Sequence, residues 1–259
     1  MRRNDTNRII PTPYLSIVVP AYNEEERIGP TLSEAILYFS TKRFITEIIV
    51  VDDGSNDSTT RIVMRVFNDK DLRRHGNIRA YLKRHIENRG KGAAIKTGIQ
   101  AASGRYILSI DADGSTPIAE FDALHAHAEN YYIVVGSRDL GTHDKHERTQ
   151  QKVIRDFVGR TGRLFTRVLF NLPVSDPFCG FKLIENRLAK ELAEEQQMLG
   201  FGYDVEYLVR ARRKGVDTKE VGVSWHHKQG GKLRLIQDSL KITSNLLKLH
   251  KQLNSTIMS

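Results

Sequence analysis

Apolar residues in the first half of the chain gather in short β-branched runs: Leu15–Pro20 (LSIVVP), Glu47–Val51 (EIIVV), Ile78–Lys83, Tyr106–Ile110 and Tyr131–Val135. Runs of this kind, apolar without alternation, predict strands of a sheet covered on both faces. Between them, Thr31–Phe39, Thr59–Phe67, Lys91–Ala101 and Pro117–Asn130 carry apolar residues three and four apart, which predicts helices. Pro30 and Pro117 suit a first helical turn, where no amide hydrogen is needed, and Asp57-Ser58 offers capping oxygens to the second helix. Strand and helix alternating at this spacing predict an α/β fold with a mostly parallel central sheet flanked by helices. Ligands of such sheets bind at the carboxyl ends of the strands.

The second half is amphipathic. In residues 146–170, Ile154, Val158, Phe165, Val168 and Leu169 fall along one helical stripe beside a row of Lys152, Arg155, Arg163 and Arg167, with Gly159 and Gly162 expected to divide the segment into two short helices. An apolar stripe flanked by cations fits a helix lying in a lipid interface and equally a helix packed on a core. The arginine enrichment favours the lipid surface, since each basic residue near an anionic leaflet contributes about 1 kcal/mol. The tail, residues 232–253, repeats the pattern with Leu233, Ile236, Leu240 and Leu247 inside and Lys241, Lys248 and Lys251 outside. Membrane contact, packing on the domain and pairing with a second subunit all remain open for it. Tyr203–Arg213 is periodic as well, so Asp204 there reads as a first-turn charge or as a functional carboxylate.

Composition changes this picture in one respect. The 259 residues carry a net charge of +9, and the excess is regional. Residues 1–144 hold 19 basic and 19 acidic side chains, whereas 145–170 hold seven and two, and 205–251 hold eleven and four. The positive charge therefore coincides with the amphipathic segments. No nucleic-acid module accompanies it, so nucleic acid is not an expected partner. No apolar run approaches the roughly 18–20 residues of a membrane span. The basic N-terminus lacks the apolar stretch of a secretory signal, which leaves a cytoplasmic location as the expectation. A single cysteine, Cys179, excludes an internal disulfide and a cysteine-based zinc site.

The strand ends carry chemistry. The first runs into Pro20-Ala21-Tyr22-Asn23-Glu24, the second into Asp52-Asp53-Gly54-Ser55 and the fourth into Asp111-Ala112-Asp113-Gly114. Five carboxylates at three strand ends are costly unless cations or hydrogen-bond donors sit among them. Asp111 and Asp113, two apart on an extended segment, can aim at one point as hard oxygen ligands for Mg²⁺ or Mn²⁺, or simply form a turn. Asn88-Arg89-Gly90-Lys91-Gly92 is no P-loop, and no dinucleotide-binding glycine motif follows the first strand. Lys91 and the amides at the start of its helix remain as an anion contact.

The run Ser16–Glu24 (SIVVPAYNE), then Val50–Ser55 (VVDDGS), Asn88–Ala93 (NRGKGA) and Asp111-Ala112-Asp113, resembles the family 2 glycosyltransferases of GT-A fold. Gly136-Ser137-Arg138, Asp176–Leu183, Tyr203–Glu206 and Val221–Trp225 are similar to the polyprenyl-phosphate branch, the dolichyl-phosphate β-glucosyltransferases and dolichyl-phosphate mannose synthases. The resemblance covers about residues 14–250; Gly114-Ser115 after the D-A-D motif leans to the glucosyl side. It implies a GT-A catalytic domain over 14–232, preceded by a polar arm at 1–13 and followed by an amphipathic helix and tail at 233–259. It implies a metal-dependent, inverting transfer of glucose or mannose from UDP-glucose or GDP-mannose to a polyprenyl phosphate, at the cytoplasmic face of a membrane. A soluble acceptor and a degenerate, non-enzymatic site are the alternatives. By position, Pro20, Tyr22 and Glu24 would line the nucleoside pocket, Val51 and Asp53 would hold base or ribose, and Asp111, Ala112 and Asp113, with Ser115 beside them, would meet ribose, diphosphate and metal. Lys232 would take a late basic position near the phosphates, and His226 or His227 a phosphate, structural or metal contact. A hydroxyl acceptor would need a base, for which Asp204 and Asp176 are the candidates.

Overall fold

In the computed structural model, residues 12–69, 74–141, 150–226, 228 and 235–255 are described. Four parallel strands, β1 (Leu15–Ala21), β2 (Thr46–Asp52), β3 (Ile78–Arg84) and β4 (Tyr106–Ser109), lie side by side with β1 between β2 and β4. Helices α1 (Ile28–Ser40), α2 (Thr59–Phe67) and α3 (Lys91–Ala101) alternate with them, so β1, β2 and β4 are buried on both faces, as their unbroken apolar runs require. The expected strand at Tyr131–Val135 forms two residues later as β5 (Ile133–Ser137). The helix expected over Pro117–Asn130 is a 3-10 turn (Ile118–Glu120) and a short α4 (Phe121–His125), with turns beyond it.

The rest of the sheet comes from the second half of the chain. Strand β6 (Lys182–Glu185) inserts between β4 and β5, antiparallel to both, and β7 (Thr218–Gly222) completes the order β3-β2-β1-β4-β6-β5-β7. Because β6 runs backwards, the segment that leads into it, residues 176–181, lies at the same edge of the sheet as the ends of the parallel strands. Helices α6 (Asn186–Glu195) and α7 (Tyr203–Arg213) follow.

The amphipathic segments form α5 (Gln150–Phe170) and α8 (Leu235–Ser255). Contrary to the expected division, α5 is continuous through Gly159 and Gly162, since a Cβ at either would meet at most the tip of Arg163 and no turn forms there. Leu169 and Phe170 of α5 and Ile242, Leu246, Leu249 and Leu253 of α8 pack on the core beneath the sheet. The inward stripe of α8 is thus not the expected one: Leu240 and Leu247 are exposed, at 67% and 48%. On α5, Leu164 and Val168 are exposed as well. No described helix is long and apolar enough to cross a membrane.

Candidate active site

Asp111 and Asp113 follow β4 on a backbone pinned from two sides. The buried Ala112 carbonyl accepts the Thr31 hydroxyl at 3.0 Å, and Gly114 turns the chain in the left-handed region, at φ +64°, where a Cβ would press on the same hydroxyl. Asp113 Oδ1 accepts the amide of Ser115 at 2.9 Å, while its Oδ2 lies 4.0 Å from the Arg27 guanidinium, itself held by Glu24. Asp111 Oδ1 accepts Lys91 Nζ at 2.6 Å. A Cβ on Gly180 would sit within 2.8 Å of both Asp111 oxygens, so only glycine lets the 176–181 segment back this carboxylate.

The two carboxylates keep an open side, 40% exposed at Asp111 and 26% at Asp113. An all-oxygen pair of this kind fits a hard divalent cation. Among the described residues, no group of three His, Cys, Asp or Glu side chains could hold a metal. The remaining coordination positions would therefore fall to ligand oxygens and water, and His226 joins no such group.

Lys91 is the cation expected among these acids. Burial works against its charge, but Asp111, Asp204 and Asp113 around it outweigh burial and raise its pKa above the ordinary lysine value. Asp111 is likewise kept below the usual carboxylate range, burial being outweighed by Lys91, with Arg138 and Lys182 behind it. The pair is ionised across the physiological range.

The loop that presents Lys91 is anchored by Asp53. This carboxylate, 2% exposed, accepts the amides of Arg89 at 3.0 Å and Gly90 at 2.7 Å and the Nδ1–H of His85 at 2.6 Å. Since a carboxylate only accepts, Nδ1 carries a proton, and Nε2 is hydrogen-bonded with the Thr97 hydroxyl at 2.9 Å. On the far side, the Ala93 amide is capped by the Leu199 carbonyl at 2.8 Å, and a Cβ on Gly92 would collide with the Met198 carbonyl. The helix start is therefore partly closed by the 197–200 loop and is not the open anion contact expected from the sequence. His85→Leu removes one of three donors to the buried Asp53 carboxylate and the ring partner of the Thr97 hydroxyl, so a loss of about 1–3 kcal/mol is expected. His85→Gln, which restores a donor, should recover part of it, as read from paired urea melts.

Two further ion pairs frame the centre. Arg138 holds Asp176 through Nε at 2.6 Å and Nη2 at 2.8 Å, and Asp176 is fully buried. Burial raises the Asp176 pKa, but the Arg138 guanidinium overcomes it and holds the carboxyl below its ordinary value, the opposite of what a general base needs. Asp204, in the first turn of α7, accepts Lys182 Nζ at 2.9 Å, and the same ammonium donates to the Cys179 carbonyl.

Against this geometry, residues 16–193 match the family model described as glycosyl transferase family 2. The chain belongs to glycosyl transferase family 2. It is 35% identical to a dolichyl-phosphate beta-glucosyltransferase of Trichomonas vaginalis over 92% of this chain and 73% of that one. It is 33% identical to the dolichyl-phosphate beta-glucosyltransferase of Dictyostelium discoideum, over 91% of this chain and 73% of that one. Among solved structures, the glucosyl-3-phosphoglycerate synthase of Mycobacterium tuberculosis, in complex with Mn²⁺, uridine diphosphate and glucosyl-3-phosphoglycerate, shares the fold. The TM-score is 0.66, at 21% identity, over 91% of this chain and 79% of that one.

In this family 2 glycosyltransferase the other residues singled out from the sequence divide into three groups. Tyr22 and Glu24 stand partly exposed at the end of β1, although the Glu24 carboxylate is engaged by Arg27. Pro20, Val51 and Ala112 are buried, and the Val51 side chain belongs to the core cluster with Val18, Ile49 and Ala94. Ser115 is buried, and its carbonyl accepts the His226 amide at 2.8 Å, which fastens the segment after β7 beside Asp113. Lys232 and His227 lie outside the described residues, as do residues 1–11 of the polar arm and 142–149. Sequence reasoning passed over His85, Arg27 and Lys182. The first stands one position past β3 at the carboxyl edge of the sheet, the same rule that located the aspartates.

Proposed function

We propose that this glycosyltransferase moves glucose from UDP-glucose to a dolichyl-type polyprenyl phosphate, with inversion, on the surface of a membrane. The observation that carries the reading is the identity of 30% or more to dolichyl-phosphate beta-glucosyltransferases across nine-tenths of the chain. The intact Asp111, Asp113 and Lys91 cluster at the strand ends supports it. Glucose rather than mannose follows the names of those relatives and the Gly114-Ser115 continuation of the D-A-D motif.

Asp111 and Asp113 would hold Mg²⁺ or Mn²⁺, which supplies positive charge for the departing nucleoside diphosphate. Lys91, kept protonated by its acids, adds a fixed cation beside the same carboxylates. Arg138 and Lys182 sit behind Asp111, and each is tied to its own buried aspartate, so neither swings freely. Charge fixed in place before the reaction begins supplies most of the rate enhancement of many enzymes. A phosphate acceptor has a second pKa of about 6 and arrives largely ionised. A base is then not required, in keeping with Asp176 and Asp204 both being paired with cations. Leu164 and Val168, exposed on α5 with Arg160 and Arg167 nearby, support contact with a lipid surface.

The test is incubation with UDP-glucose or GDP-mannose, each radiolabelled in the sugar, with Mg²⁺ or Mn²⁺ and dolichyl phosphate. Label is expected in the organic phase from UDP-glucose and not from GDP-mannose. Label that stays in water with every polyprenyl phosphate overturns the lipid acceptor.

A further inference from the structure

A second groove adjoins the loop before Lys91, and neither Asp111 nor Asp113 lines it. Its volume is about 520 Å³, within the range of small-molecule sites, and one wall is the 88–90 loop with the 197–200 loop. The other wall is α8, which presents Lys241, Asn245, Lys248 and Gln252 at positions i, i+4, i+7 and i+11, a single helical stripe. The neighbouring apolar stripe of α8, Ile242, Leu246, Leu249 and Leu253, is the one packed on the core, and Lys241 and Lys248 beside it stay exposed.

The lining has one sign of charge. Arg89, Lys241 and Lys248 contribute three cations; Asn88, Gln197 and Asn245 add carboxamides, and none of the lining residues is acidic. All three cations are exposed, and none is in a salt bridge among the described residues. Elsewhere in the structure most cations at the site have an aspartate or glutamate: Lys91 with Asp111, Arg138 with Asp176, Lys182 with Asp204, Arg210 with Glu206. Convergent cations without a counter-charge, backed by amide donors, are what a phosphate group requires.

The rim is apolar. Leu199 of the lining is 44% exposed, Phe201 is 38% exposed one residue beyond Gly200, and Leu240 is 67% exposed next to Lys241. A water-soluble phosphate would gain nothing from these side chains, whereas an amphiphile would cover them.

We propose that this groove is a phosphate-headgroup site for an anionic membrane phospholipid, separate from the paired-aspartate centre. The site deepens the membrane-surface part of the proposed function. It also adjoins the loop that carries Lys91: Arg89 and Gly90 of the groove donate their amides to Asp53, and Leu199 caps Ala93, so a headgroup there bears on that loop.

The test uses the full chain and vesicles of phosphatidylcholine with or without one-fifth phosphatidic acid. Sedimentation gives the affinity, and lysine acylation read by mass spectrometry gives the location. Binding to the anionic vesicles is expected, with Lys241 and Lys248 protected at least fivefold and no protection on phosphatidylcholine alone. Lys241→Ala/Lys248→Ala should bind about 30-fold more weakly, near fivefold per lysine, whereas Lys190→Ala/Arg213→Ala, of equal charge but outside the groove, should bind within threefold of the parent. Binding without protection of Lys241 and Lys248, or equal loss in both double variants, overturns the groove while leaving membrane contact standing. No binding to anionic vesicles overturns both. Full protection by millimolar glycerol 3-phosphate, without vesicles, assigns the groove to a soluble phosphate and overturns the lipid.

Discussion

Asp113→Ala is expected to lower kcat by about a thousandfold or more while the protein stays folded. The size follows from the role: removing one fixed group that stabilises developing charge costs roughly a hundred- to a thousandfold, and a metal ligand carries more. The fold survives because the side chain is 26% exposed and, among the described residues, its short hydrogen bond is to the Ser115 amide, a turn contact worth about 1 kcal/mol. Thermal melting beside initial rates separates the two effects. Turnover within tenfold of the parent, still dependent on added metal, would show that the centre lies elsewhere.

Lys182→Met is expected to be the most destabilising single change near the site. It strands the Asp204 carboxylate, which is 6% exposed, without its ammonium, and breaking one side of a buried pair costs about 3–5 kcal/mol. For a chain of this size that corresponds to a fall in Tm on the order of ten degrees. Lys182→Met/Asp204→Leu removes both charges and should regain most of the loss. The double variant also probes Asp204 as a base. With a phosphate acceptor, transfer within about tenfold of the parent is expected; a well-folded double variant with no turnover would assign the Lys182–Asp204 pair to the chemistry, and Asp204→Asn beside it would separate a base from a fixed cation.

The parts of the fold that were legible in the sequence are those where burial alone dictates the residues. β1, β2 and β4 are sandwiched between helices, so their apolar runs name them, and the helices at Thr59–Phe67, Lys91–Ala101 and Tyr203–Arg213 begin and end where their periodicity does. β6 and β7 were not legible. KLIE carries a lysine at a fully buried position, tolerable only because Asp204, 22 residues later, meets it, and TKEVG is half-buried with two charged residues in five. No local pattern contains that information. The site divides in the same way. Asp111, Asp113 and Lys91 sit together, as a motif at a strand end and one at a helix start suggested. Asp53 instead spends its carboxylate on the loop and His85, a use that depends on the strand register bringing β2 and β3 ends together.

The sheet order has a consequence for how the chain folds as it is made. Among the described residues, β5 pairs with β6 and β7, and β6 joins it to the four-stranded half. β5 is complete at Ser137, but its first partner begins at Lys182. At roughly 5–20 residues per second of synthesis, the apolar IVVGS strand waits several seconds with both edges unpaired. The N-terminal half, with β1 to β4 complete by Ser109, can close its own sheet in that interval. Nascent-chain release at about residue 141 should therefore yield a species that has a formed four-stranded sheet and a C-terminal strand with unpaired edges.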